Sequence, residues 1–318
     1  MSHSLPDFRR RSFQRVFYML LILIADFLED HLGLFRDLRP QRMPSKAAEW
    51  TTEEVLEKAD GAGELDEAGR GAGDSPMSKI DDATAGKWIY GISDEGPYAA
   101  PEVLAMQCVL DNTTIPTPRL HSVASYPDST DACMVMDYIP GTRLDQVWPT
   151  LSLFSKLRIA WILRSYVRQL RRIRHPRSNI PGSLGPGLVA RGCKGVSTVP
   201  ISTFGPFADP EELTATLNKK CSSYLGAPIP DAYTTPEQLV FTHNDLHMRN
   251  ILLGHDGRVW LIDWGLSGFY PRSFEFTSAV IMSERSPHDV APLSWRRCLP
   301  FIADPYFGRY RWLMGHAP

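Results

Sequence analysis

Two polar clusters near the C-terminal third of the chain hold the residue types that phosphate and metal chemistry needs. The first runs His243, Asn244, Asp245, Leu246, His247, Met248, Arg249, Asn250; the second is Asp263, Trp264, Gly265. A hard cation such as magnesium takes oxygen ligands, usually one or two protein carboxylates shared with phosphate oxygens. An Asn carbonyl and an Asp carboxylate held side by side supply such a set. A further carboxylate on the same loop, Asp245, is suited to orient a hydroxyl and take its proton. A buried hairpin flanked by solvated acids is the plain alternative, and it leaves five polar positions in register without a reason.

These side chains meet only if the chain between them doubles back. Ile251–Leu253 and Val259–Ile262 read as two short strands, and His255-Asp256-Gly257 between them is a tight turn with Asp-Gly at its tip. A hairpin brings its outer ends together, so Asn250 and Asp263 are expected as neighbours.

The order H-N-D-L-x-x-x-N followed by D-W-G is similar to the kinase pair H-R-D-L-x-x-x-N and D-F-G. The longer pattern H-x-D-L-H-x-x-N-I-L, then L-I-D-W, then Ser267-Gly268-Phe269-Tyr270-Pro271, resembles the aminoglycoside phosphotransferase / choline kinase-like superfamily, in particular its fungal-type members. Trp264 and His247 separate it from ordinary protein kinases. Thr114–Pro118, Val135–Gly141, Leu170–Ile173 and Gly205–Phe207 carry the resemblance outward from this centre.

That resemblance implies an α+β, protein kinase-like bilobal fold, with a small mixed N-lobe on an antiparallel sheet and a larger, mainly helical C-lobe. It implies ATP and Mg2+ as cofactors and a small-molecule hydroxyl as phosphate acceptor. Asp245 would be the catalytic base, His243 would brace its loop, and His247 would face the transferred phosphate or the acceptor, with a structural contact weighed equally for His247 and Arg249. Asn250 and Asp263 would hold the metal. Backbone groups of Asp137, Tyr138 and Ile139 would meet the nucleotide base, and Lys87, paired with Glu102, its α- and β-phosphates. Two departures stand against this. Lys87 begins the apolar run Trp88–Ile92, where the family places its lysine within or after the strand. Residues 46–80 show neither the two strands nor the glycine turn that should come first. A non-catalytic pseudokinase-type relative with weak or no nucleotide binding is therefore the alternative. A protein kinase ranks last, since no A-P-E segment follows Asp263.

With 318 residues, 43% of them hydrophobic and 22% charged, the chain is an ordinary globular one that can bury a sizeable core. A net charge of −2 gives no footing for nucleic acid. Five scattered cysteines without metal-ligand spacing read as reduced, buried thiols in a cytoplasmic protein. A peripheral membrane or mitochondrial association is left open by the N-terminus, where Arg9, Arg10, Arg11 and Arg15 precede the apolar run Val16–Ala25. That run is too short to span a bilayer, which takes about 20 residues; a helix packed on the body is favoured over one lying on a membrane.

The chain divides into a 1–45 N-terminal helix, a 46–80 acidic glycine-rich linker, an 81–140 N-lobe with hinge, and a 141–318 helical C-lobe. Within the linker, Thr51 and Glu54 form a capping box. Pro101 opens a helix, Lys156–Arg174 is helical with a basic face read as solvated, and Asp209 caps a helix over Pro210–Leu225.

Overall fold

A computed structural model describes residues 5–32, 47–62, 77–90, 96–127, 129–188, 191–193, 204–226, 234–285 and 290–314. Helix α1 (Leu5–Leu32) comes first, followed by α2 (Thr52–Gly61), which starts at the expected capping box: Thr51 Oγ1 accepts the Glu54 N–H, and Glu54 accepts the Thr51 N–H. The smaller lobe is a four-stranded antiparallel sheet in the order β1-β2-β4-β3, made of β1 (Met77–Lys79), β2 (Thr84–Ile89), β3 (Leu120–Ser125) and β4 (Ala132–Asp137). Every residue of β4 is buried, as a central strand covered on both faces requires. Its alternate side chains serve two cores. Met134 and Met136 face helix α3 (Pro101–Asn112), which brings Val103, Met106 and Val109, while Cys133 and Val135 face Val55, Leu56 and Ala59 of α2.

Two expectations change here. Residues 47–62 are not linker: they close the outer face of the N-lobe sheet, and β1 pairs with β2. Residues 63–76, the rest of the expected linker and most of its glycine-rich stretch, lie outside the described residues. The strand expected at Trp88–Ile92 is Thr84–Ile89, because its polar first half also pairs with β4. Lys87 therefore stands inside the strand, opposite Met134.

The larger lobe begins at β5 (Gly141–Arg143), the short α4 (Leu144–Val147) and the long α5 (Leu153–Arg172), which Ser152 caps. Helix α5 buries Ile159, Ile162, Leu163, Tyr166, Val167 and Leu170 as one apolar side. Strands β6 (Gly182–Ser183), β7 (Leu239–Thr242), β8 (Ile251–Gly254), β9 (Val259–Leu261) and β10 (Gly268–Pro271) form two small sheets, ordered β5-β8-β9 and β6-β10-β7. Helix α6 (Pro210–Leu225) lies between β6 and β7 in sequence, and its cap is Asp209, whose carboxylate accepts the Glu212 N–H. The chain ends with α7 (Phe274–Arg285), α8 (Leu293–Ile302) and α9 (Phe307–Leu313). Gly141 is needed where β5 meets β8: a Cβ there would sit 2.7 Å from the Leu253 carbonyl oxygen.

Helix α1 packs on the C-lobe by ion pairs. Arg164 forks onto Asp26 with both contacts at 2.8 Å, Arg168 meets Glu29 at 2.7 Å, and the Ser165 hydroxyl donates to Glu29 at 2.6 Å. The basic face of α5, expected as solvated, is thus largely covered, and Arg164 is only 3% exposed. Charges so buried require partners, and the acids of α1 together with Asp304 provide them. Among the described residues no helix is long and apolar enough to cross a membrane.

Candidate active site

The hairpin forms as its turn chemistry requires, with β8 and β9 antiparallel. Its outer ends adjoin: the Ile262 N–H donates to the Asn250 carbonyl at 3.1 Å, which sets Asn250 beside Asp263. The Asn250 side-chain amide donates to Asp245 Oδ2 at 2.8 Å and to the Asp245 carbonyl at 3.1 Å, so it fixes both the side chain and the loop carrying it. Asp245 Oδ1 is buried and accepts no hydrogen bond.

Lys87 reaches the same place from the N-lobe. Its ammonium lies 2.7 Å from Glu102 Oε1 and 2.8 Å from Asp263 Oδ1. Burial pulls the Lys87 pKa down, but the charges of Asp263 and Glu102 outweigh burial and leave it raised. Burial likewise pushes Asp263 up, and the Lys87 charge and hydrogen bond overcome this, holding its carboxyl below the usual carboxylate range. Gly265 lets Glu102 approach, since a Cβ there would stand 3.3 Å from Glu102 Oε2.

The loop before Asp245 is held from three sides. Glu275 on α7 accepts the backbone N–H of His243 at 2.8 Å and of Asn244 at 3.1 Å. The Ser267 hydroxyl donates to the His243 carbonyl at 3.0 Å. His243 Nε2 lies 3.0 Å from the Ile262 carbonyl, which can only accept, so Nε2 carries the proton. Burial lowers the His243 pKa, and the ring bridges the Asp245 loop to the strand ahead of Asp263 in its neutral form. Asn244 and Asp263 both have φ of 63°, in the left-handed region. Asn and Asp tolerate that region better than most residues, and such conformations persist where surrounding contacts enforce them.

His247 makes a structural contact beside Asp245. Its Nδ1 accepts the Arg249 N–H at 3.2 Å and caps the turn Met248–Asn250, so Nε2 holds the proton and lies 3.4 Å from Asp245 Oδ1. At the hinge, the Asp137 N–H donates to the Arg119 carbonyl at 3.0 Å and the Tyr138 N–H to the Ala83 carbonyl at 2.8 Å. Of the three expected base-binding positions, Ile139 is the one whose N–H makes no hydrogen bond within the described residues. The Asp137 carboxylate is turned toward β3, accepting from the Arg119 N–H and bonded to His121 Nε2 at 2.8 Å.

Glu275 was not legible as a site residue in the sequence, and Asn244 and Ser267, read within the motifs, gave no sign of the roles they take. Glu275 had one signal, an acid on the otherwise apolar turn Phe274-Glu275-Phe276. Among the described residues no group of three His, Cys, Asp or Glu side chains could hold a metal by itself.

The model of the phosphotransferase enzyme family (APH) matches residues 203–310. This stretch holds the loop, the hairpin and Asp263, and the resemblance to the aminoglycoside phosphotransferase / choline kinase-like superfamily is borne out over it. No curated protein matches the chain. Solved structures similar to it include the streptomycin-ATP-APH(2")-IIa ternary complex, at 17% identity and TM-score 0.46, covering 82% of this chain and 86% of that one. ADP-bound aminoglycoside phosphotransferase APH(2'')-Ib is similar at 16% identity and TM-score 0.47, covering 80% and 84%. The GDP complex of wild-type aminoglycoside 2'-phosphotransferase-IIIa follows at 11% identity and TM-score 0.49, covering 83% and 86%.

Proposed function

We propose that the protein transfers the γ-phosphoryl group of ATP, with Mg2+, to a hydroxyl of a small molecule. The observation that carries this reading is the Lys87 ammonium, held between Glu102 at 2.7 Å and Asp263 at 2.8 Å in the cleft that also contains the Asp245–Asn250 pair.

The donor set fits magnesium. Asn250 and Asp263 present hard oxygens at adjoining strand ends, the Lys87 ammonium faces the two carboxylates of Glu102 and Asp263, and Asp245 adds a third carboxylate through its bond to Asn250. Magnesium, when bound, supplies positive charge to the β- and γ-phosphate oxygens. Asn250 and Asp263 would hold it. Lys87 stabilises phosphate charge in a cleft where such charge acts strongly, and Glu102 keeps its ammonium aimed. Asp245 orients the acceptor. With Oδ2 taken by Asn250, Oδ1 is the oxygen left to accept the acceptor's proton. The bond from the γ-phosphorus to the ADP oxygen breaks, the bond to the acceptor oxygen forms, and the released proton passes through Asp245 to solvent. His243 and Glu275 position the loop, and His247 holds the turn that presents Asn250. The Ile139 N–H is the hinge donor open to the nucleotide base.

The reading as a non-catalytic relative drew its main support from a misplaced lysine. Lys87 lies within its strand and is paired with Glu102, so that support falls away. The test is ADP release from MgATP across aminoglycosides, choline, sugars and small amines, with Asp245→Asn as control. Acceptor-dependent release in the wild type alone is expected; no Mg-dependent release with any acceptor overturns the proposal.

A further inference from the structure

We infer that α1 is a membrane-surface helix whose outward apolar face rests on a bilayer carrying anionic headgroups. The helix is inverted relative to one that merely completes a core. Among the residues whose burial is described, Tyr18, Ile22, Ala25, Asp26, Leu28 and Glu29 are the ones wholly or partly buried. Val16, Leu20, Leu23, Ile24 and Phe27 are 54%, 55%, 65%, 57% and 59% exposed. Val16, Leu20, Leu23 and Phe27 follow helical spacing and make one stripe, and a contiguous apolar surface of this kind marks a site of contact.

Helix α5 exposes apolar side chains of its own at its N-terminal end. The pairs Asp26–Arg164 and Asp30–Arg168 are both 138 residues apart, so α1 and α5 run parallel in a fixed register. Leu153, Phe154 and Leu157 lie N-terminal to Arg164 on α5, as Val16, Leu20 and Leu23 lie N-terminal to Asp26 on α1. Those three α5 residues are 73%, 72% and 55% exposed.

Charge selects the occupant. Between Asp7 and Asp26 the sequence has no acid and has Arg9, Arg10, Arg11 and Arg15. The acids that follow, Asp26, Glu29 and Asp30, are spent on Arg164, Arg168 and Arg172. A basic segment beside an exposed apolar stripe complements a layer of anionic lipid, where each arginine contributes about 1 kcal/mol and the apolar face inserts. A second copy of the chain would offer the same face with no free acid on it. The stripe from Val16 to Phe27 is about 18 Å long at about 1.5 Å per residue, well short of a hydrocarbon core of roughly 30 Å. It lies in the plane of the surface.

The experiment is co-sedimentation of the full chain with vesicles of phosphatidylcholine alone or with phosphatidylserine, at low and high salt. Binding to the anionic vesicles that weakens with salt is expected. Leu20→Glu/Leu23→Glu should abolish it, and Arg9→Gln/Arg10→Gln/Arg11→Gln should weaken it by about fivefold per arginine. Phe154→Ser/Leu157→Ser, on a helix whose fold α1 does not set, should weaken it as well. Thermal unfolding of the leucine and phenylalanine variants should match the wild type, since Leu20, Leu23, Phe154 and Leu157 are exposed. No binding to anionic vesicles, or equal binding by the Leu20/Leu23 variant, overturns the inference. So does a dimer in sedimentation velocity that this variant dissociates, which would assign the face to a second copy.

Discussion

Glu275 Oε2 accepts the backbone N–H of His243 at 2.8 Å, across 32 residues of sequence, and so ties α7 to the loop that presents Asp245. Burial raises the Glu275 carboxyl from 4.5 to about 7, against the lowering effect of the two N–H donors and of Arg171. Its folded value is above its unfolded one. The stability it contributes is therefore fully present below about pH 4.5 and is lost as pH rises through about 7. Over that window the slope is about 1.4 kcal/mol per pH unit. Glu275→Gln should flatten it, at the cost of one loop hydrogen bond, because an amide has one acceptor oxygen for two N–H groups. Urea unfolding of both proteins from pH 5 to 8 measures this; identical pH slopes would refute it.

Asp245→Asn should remove phosphoryl transfer and leave MgATP binding within about twofold, because the proposed metal ligands and Lys87 remain. Asp263→Ala should lose Mg-dependent nucleotide binding, since it deletes the carboxylate proposed to hold the metal with Asn250 and releases Lys87. Calorimetric titration of nucleotide with and without magnesium separates the two roles. Equal loss of binding in both variants would merge them.

Lys87 and Glu102 act as a unit. Each alone should cost MgATP affinity by about 2 kcal/mol or more, as charge-assisted partners in a closed site do. The double variant should cost little beyond either single one, because neither side chain is aimed without the other. A double-mutant cycle reads the coupling, and strict additivity would show that the two contribute independently.

The ion pairs under α1 divide by burial. Arg164, 3% exposed and bonded to both Asp26 and Asp304, should cost about 3 kcal/mol of folding stability on change to Ala. Arg172, whose side chain is 62% exposed and 3.5 Å from Asp30, should cost less than about 0.5 kcal/mol. Urea unfolding midpoints test the contrast, and equal shifts would mean that burial does not govern these pairs.

What the sequence made legible was local. The Asp-Gly hairpin, the Thr51–Glu54 box, Pro101 opening α3 and Asp209 capping α6 are each set by residues within a turn of one another, and each formed. The spacing of Asp245, Asn250 and Asp263 was equally readable, because a two-stranded hairpin converts sequence distance into contact. Lys87 was misjudged because the strand was traced by its apolar residues alone, whereas pairing with β4 extends it to Thr84. Glu275 and the inward acids of α1 were out of reach for another reason. Their partners lie 32 and 138 residues away, and nothing local distinguishes a carboxylate that will hold a backbone from one that will face water. The docking of α2 on the sheet belongs with them, since three apolar residues in a short acidic helix do not announce a core.

The most direct measurement is transfer of labelled γ-phosphate from ATP to a small-molecule acceptor by the purified full chain. It is made with magnesium, with chelator, and with Lys87→Ala and Asp245→Asn in place of the wild type. Labelled acceptor that requires magnesium and is lost in both variants is the expected result. Wild-type protein that neither binds MgATP nor labels any acceptor would contradict the account.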